Sequence, residues 1–277
     1  MVESVTTLAA LRRRIASLER IPAGQAVPRV ATGHVQLDRA LGGGLSRGRL
    51  HELFGSIEDE GAAAGLALGF AQLLAGEEPL LWLRTAAAEQ AGGMAYGPGL
   101  AALGMAPDRL LIGVMTEEAM LLRAAVDALR CPALGALMIE LRGRAPLLDL
   151  TASRRLALAA EGSGVTAVIL RIGGEPVPSA ADTRWQVRAA PSIPLPGNAP
   201  GMSAFDLSLL RQRAGPDGFH WRLTWDSGRS SFAKADEEAR DERHDHGQDS
   251  AGGYGQAALS GAVVPLSADR SASDRAA

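Results

Sequence analysis

Between Arg49 and Ile172, short apolar runs alternate with stretches of helical apolar spacing, and this alternation limits the possible folds more than any other feature of the chain. The runs read as strands at Arg49 to Phe54, Pro79 to Leu83, Leu110 to Val114, Ala136 to Leu141 and Val165 to Ile172. Helical patterns fall between them at Ala62 to Ala75, Gly99 to Gly104, Glu117 to Leu129 and Thr151 to Glu161. Parallel neighbours need a long crossover, usually a helix, and such crossovers cover both sheet faces. The expected fold is therefore α/β: a doubly wound, mostly parallel sheet with helices on both faces. A content of 47% hydrophobic residues in 277 supplies enough apolar surface for one large core.

The pattern changes after Gly173. RWQVRAA, FDLSLLRQR and HWRLTWD are short alternating segments between Pro/Gly-rich turns, and they read as antiparallel strands extending the sheet at its edge. From Ser230 onward, ADEEARDERHDHGQDS and a Gly/Ala/Ser-rich stretch offer little to bury, so a disordered tail is expected. At the other end, Leu8, Leu11, Ile15 and Leu18 have helical spacing around Arg12, Arg13 and Arg14, and Ile21 to Val30 read as a linker. The expected divisions are 1–30 (amphipathic helix and linker), 31–229 (core) and 230–277 (polar tail).

Composition removes several function classes. A net charge of -3 and a pI near 6.0 give no global attraction for nucleic acid, leaving DNA contact open. The single cysteine, Cys131, stands before Pro132 without a paired histidine motif and reads as a packed, unreactive thiol. No run is long and apolar enough to span a bilayer, and the N-terminus lacks the apolar core of a leader, so a cytoplasmic location is expected. His244, Asp245 and His246 fall in the segment expected to be disordered, which would not supply the fixed geometry a metal needs, so no metal site is expected there.

The segment ATGHVQLDRALGGGLSRGRLHELFG, Ala31 to Gly55, and the run YGPGLAALGMAPDRLLI, Tyr96 to Ile112, resemble parts of the ATPase core of RecA recombinases. In such a core the loop after the first strand aims backbone N–H groups, a lysine and a magnesium-holding hydroxyl at phosphates. Here that loop contains Gly55, Glu58, Asp59, Glu60, Gly61, Ala62 and Ala63, with alanines in place of lysine and hydroxyl. Carboxylates about 4 Å from phosphate oxygens repel them by ~4 kcal/mol at an effective dielectric of about 20. The strand expected to end in a water-activating acid ends instead in Arg84, Thr85 and Ala86, leaving no general base. Glu140, at the end of ALMIELRG, stands at a Walker B-like position without the lysine and hydroxyl that would complete a metal–phosphate unit. It reads more readily as structural or partner-facing.

Arg171 occupies the end of the next strand, and the loop Gly173 to Asp182 is short for a DNA-binding loop. Arg142, Arg144, Arg154 and Arg155 form a basic cluster that reads first as a solvated helix flank.

The defective loop, the Tyr-Gly-Pro-Gly run and the C-terminal arginine/tryptophan strands together resemble the ImuA family, RecA-like or SulA-like proteins of damage-inducible mutagenesis operons. The resemblance implies a non-catalytic accessory of the SOS-induced translesion-synthesis mutasome, acting without cofactor. Its implied partners are an ImuB-like inactive Y-family polymerase, RecA and, indirectly, an error-prone C-family polymerase. Arg184, Trp185, Arg188, Arg211, Arg213, Trp221, Arg222 and Trp225 have residue types enriched at interfaces and are the partner-binding candidates, although alternation alone also explains the tryptophans as one buried sheet face. Two alternatives stand beside this reading: a divergent ATPase using Glu140, and a SulA-like inhibitor of cell division.

Overall fold

The computed structural model describes residues 27–199 and 201–234. The expected N-terminal helix, the histidine-containing segment at 244–246 and the rest of the tail lie outside these residues.

The chain begins with a two-residue strand, β1 (Arg29–Val30), paired antiparallel with β2 (Leu45–Ser46). The linker expected through Val30 therefore ends earlier, because Arg29 also donates to the carbonyls of Leu41 and Gly44. The approach is close enough that a Cβ on Gly44 would lie 2.0 Å from the Val30 carbonyl oxygen. Between the two strands runs α1 (Val35–Ala40), capped by His34, whose Nδ1 accepts from the Leu37 N–H at 3.1 Å.

The main sheet contains β3 (Leu50–Gly55), β4 (Leu80–Thr85), β5 (Leu110–Met115), β6 (Ala136–Arg142), β7 (Thr166–Ile172), β8 (Thr183–Ala189), β9 (Ala204–Gln212), β10 (His220–Asp226) and β11 (Ser231–Lys234). Their spatial order is β11-β10-β9-β8-β3-β7-β6-β4-β5. The six strands from β8 to β5 are parallel, and β9, β10 and β11 continue the sheet antiparallel. Five helices lie between strands: α2 (Glu60–Ala75), α3 (Ala86–Gly92), α4 (Gly97–Ala102), α5 (Glu118–Leu129) and α6 (Leu150–Ser163).

Two findings depart from the expected organisation. RWQVRAA, as β8, runs parallel to β3 and antiparallel only to β9. The connection 173–182 carries the chain back along the sheet without a helix; ten extended residues reach roughly 33 Å, enough for that return. Alternation reports which face a residue occupies but carries no strand direction. The second departure is β11, which extends the fold beyond the expected boundary at 229: Phe232 pairs opposite Trp225, is fully buried, and meets Phe70 edge-on at 5.6 Å. One aromatic residue in a polar stretch is a weak hydropathy signal.

Strand alternation divides the core. Leu53, Met138, Val168 and Leu170 face α2, while Leu50, Leu137, Ile139 and Ile169 face α5 and α6. Helix α2 is apolar around most of its circumference because the sheet and the aromatic residues of β8 to β11 both cover it. Its small residues permit this: a Cβ on Gly69 would lie 3.0 Å from the Phe232 ring, and one on Gly55 only 2.5 Å from the Ala63 methyl.

Candidate functional site

At the end of β3 four residues, Ser56 to Asp59, lead into α2. Asp59 occupies the N-cap and Glu60 the first turn, the end where the helix dipole and unpaired N–H groups attract anions. The chain's own carboxylates thus stand at the end that draws anions, and Asp59 and Glu60 each have a partner outside the loop. Asp59 accepts from the Ser56 hydroxyl at 2.9 Å and from the Ala189 N–H at 2.8 Å, tying the loop to the end of β8. Glu60 forms an ion pair with Arg142 of β6. Glu58 is exposed, and hydrogen bonds from its own backbone N–H and Ser56 hold its carboxyl below the ordinary glutamate range. Gly61 is open to solvent, Ala62 is half-buried and Ala63 is sealed against Gly55.

Glu140 lies opposite Arg84 across the β4–β6 ladder. One carboxylate oxygen accepts from Arg84 Nη2 at 2.9 Å, the other from Trp82 Nε1 at 2.9 Å, and both side chains of the ion pair are buried. Burial pushes the Glu140 carboxyl above its ordinary range, and the Arg84 guanidinium opposes that shift. Arg84 also donates to the Gly93 carbonyl at 2.8 Å and lies over the Trp82 ring, fixing the end of α3 to the sheet. The arginine that replaces the expected strand-end acid therefore takes up the remaining acid. Among the described residues no group of three or more His, Cys, Asp or Glu could hold a metal ion.

A second buried charge cluster escaped the sequence reading. Glu52 of β3, 1% exposed, accepts from Arg184 Nε at 2.9 Å and from the Ser179 hydroxyl at 2.8 Å, and Arg171 Nη1 stands 3.6 Å away. Both guanidiniums lie over the Phe54 ring. Burial lowers the Arg171 pKa while Glu52 opposes the shift. The neighbouring His51 hydrogen-bonds Thr183 at 2.7 Å and the Ser46 carbonyl at 2.8 Å, and burial lowers its pKa, with the nearby Asp182 acting in the other direction. The signal was the HELF sequence itself: a central strand buried on both faces that carries His and Glu must supply them with partners.

The partner-binding candidates divide by face. Trp185, Trp221 and Trp225 are buried core residues, so their assignment to a docking surface is corrected; Trp185 meets Phe70 edge-on at 5.7 Å. The arginines point to the other side. Arg188 and Arg211 are exposed, Arg184 is committed to Glu52, and Arg213 stands 3.7 Å from Glu161. Arg222 donates twice to Asp206, at 2.8 and 3.0 Å, and these bonds lower the Asp206 pKa. Of the other basic candidates, Arg142 is committed to Glu60, whereas Arg144, Arg154 and Arg155 are exposed. Cys131, expected to be packed, is exposed because it falls in the turn beyond α5. Among the described residues no helix is long and apolar enough to cross a membrane.

No family model matches the chain. Two curated proteins do: the Protein ImuA sequences of Caulobacter vibrioides strains NA1000 / CB15N and ATCC 19089 / CIP 103742 / CB 15 are each 34% identical over 209 residues. The matched region is 69% of this chain and 81% of each relative. Identity at that level over most of both proteins makes the chain a member of the ImuA family.

Proposed function

We propose that the chain is a non-catalytic, RecA-like accessory of DNA damage-induced mutagenesis that works by holding protein partners. The observation that carries this is the Arg84–Glu140–Trp82 unit: both oxygens of the one Walker B-like acid accept internal hydrogen bonds. The α2 N-terminus adds to it, since Asp59 and Glu60 occupy the positions where phosphate would be drawn, and no lysine stands in the loop. The partners of this reading are an ImuB-like polymerase relative, which membership of the ImuA family supports, and RecA, which the RecA-like reading of the core suggests. The strand β3, flanked by β7 and β8 and followed by α2 after a four-residue loop, supports the RecA-like reading of the frame.

The test is recovery of partners from DNA-damaged cells of the native host with the tagged full chain, alongside magnesium-dependent ATP turnover by the purified protein. Recovery of an ImuB-like protein or RecA without turnover is the expected result. Turnover abolished by Glu140→Gln would instead make the chain a divergent ATPase, and recovery of neither partner would overturn the accessory role.

A further inference from the structure

The outer surface of the α5–α6 pair has no role in the site described above, yet it is concave. Two adjoining cavities run along the junction of these helices. One, of about 750 Å³, is lined by Val126, Arg130, Arg155 and Leu158 among others. The second, of about 390 Å³, shares Val126 and Arg155 and continues past Leu122, Arg123 and Leu147. Their linings together run from Ala119 to Arg130 along α5, whose 12 residues span roughly 18 Å.

The sheet already accounts for the inward faces of both helices: Leu121, Ala125, Leu129, Leu156 and Ala160 are buried beneath them. The groove is built from what remains. Leu158, on the outer face of α6, is 57% exposed, and Leu147, in the turn that leads into α6, is 50% exposed, apolar side chains where a solvated surface is ordinarily polar. Around this apolar floor stand three guanidiniums, Arg123, Arg130 and Arg155, against one carboxylate, Asp127. Asp127 itself reaches Arg130 at 3.5 Å. An apolar strip with a net positive rim selects an occupant of opposite character: an amphipathic helix with an apolar stripe flanked by aspartate and glutamate.

The chain's own remaining segments do not meet that description. Residues 4–19 have the apolar stripe but carry Arg12, Arg13 and Arg14, which the rim would repel. Residues 236–249 have the carboxylates but only Ala239 as an apolar side chain, and in residues 250–277 the two acids, Asp269 and Asp274, are balanced by Arg270 and Arg275. We infer that the α5–α6 groove docks an acidic amphipathic helix belonging to another protein. This names a surface and a partner chemistry for the accessory role proposed above and rests on that reading.

The test uses the full chain and two fluorescent helical peptides of about 14 residues, matched to the groove's length. They share one leucine stripe, and their flanks are glutamate in the first and lysine in the second. By anisotropy the glutamate peptide is expected to bind and the lysine peptide not. Arg123→Glu with Arg155→Glu should weaken the first at least tenfold and create binding of the second. Leu158→Asp should weaken the glutamate peptide with the arginines intact. All three positions are on the surface, and an unchanged melting temperature establishes that each variant is folded; Arg155→Gln serves if the double reversal is not. Equal binding of both peptides, or glutamate-peptide binding indifferent to these substitutions, would overturn the assignment. Retention of an ImuB-like partner by the charge-reversed chain in host cells would sink this surface while leaving the accessory role standing. Recovery of neither an ImuB-like protein nor RecA with the wild-type chain would sink the role itself.

Discussion

Arg84 and Glu140 form a buried pair whose worth lies less in mutual attraction than in the cost of parting them. Removing two charges from water is expensive, and an unpaired survivor costs about 3–5 kcal/mol. Arg84→Met should therefore lower stability by about that amount near neutral pH, with the loss read from the urea midpoint. Without its arginine the Glu140 carboxyl, already pushed up by burial, rises further, so the variant should regain stability as the pH falls and the acid protonates. The double substitution Arg84→Met, Glu140→Leu should recover much of the loss at neutral pH, because it leaves neither charge buried. His51 gives the opposite pH response. Its folded pKa is depressed, so the unfolded chain binds the proton first, and stability should fall as the pH drops below about 6.5. Denaturant midpoints measured from pH 7.5 to 5.5 should show that decline, and His51→Gln should flatten it.

At the scale of elements, α2 and the strands around it depend on close approach. Gly55→Ala would place a methyl 2.5 Å from that of Ala63, and the expected cost is about 1–3 kcal/mol, read from thermal or urea unfolding. Phe232→Ala should cost about 3–5 kcal/mol, since it removes a fully buried ring that contacts Phe70, Phe205 and Trp225. A loss below about 1 kcal/mol would show that β11 is a peripheral strand instead of part of the core. The two faces of β8 should differ in the same assay: Trp185→Ala destabilises by a core-sized amount, whereas Arg188→Glu, on the exposed face, leaves the midpoint nearly unchanged.

For the whole molecule, the self-occupied loop and the locked acid predict indifference to nucleotide. A ligand that binds only the folded state at a hundred times its Kd stabilises it by about 2.7 kcal/mol. Millimolar magnesium–ATP should therefore leave the melting temperature unchanged, and a clear upward shift would require a nucleotide site. The frame that carries these residues was legible in the chain order of apolar runs: β3 to β7 and the helices α2, α5 and α6 stand within a few residues of their expected bounds. Periodicity decides these elements because each buries one face or both, and its spacing records which. The alanines at Ala62 and Ala63 and the strand-end Arg84 were equally plain, since a missing lysine is a property of the sequence itself. What only the tertiary structure decided was who meets whom. Arg84 and Glu140 are 56 positions apart, and Glu52 and Arg184 are 132 apart. Nothing local joins them, because strand order and register bring them together. The direction of β8, the inward turn of the tryptophans and the inclusion of Phe232 follow for the same reason: local spacing assigns a side chain to a face, and only the packed sheet determines what that face meets.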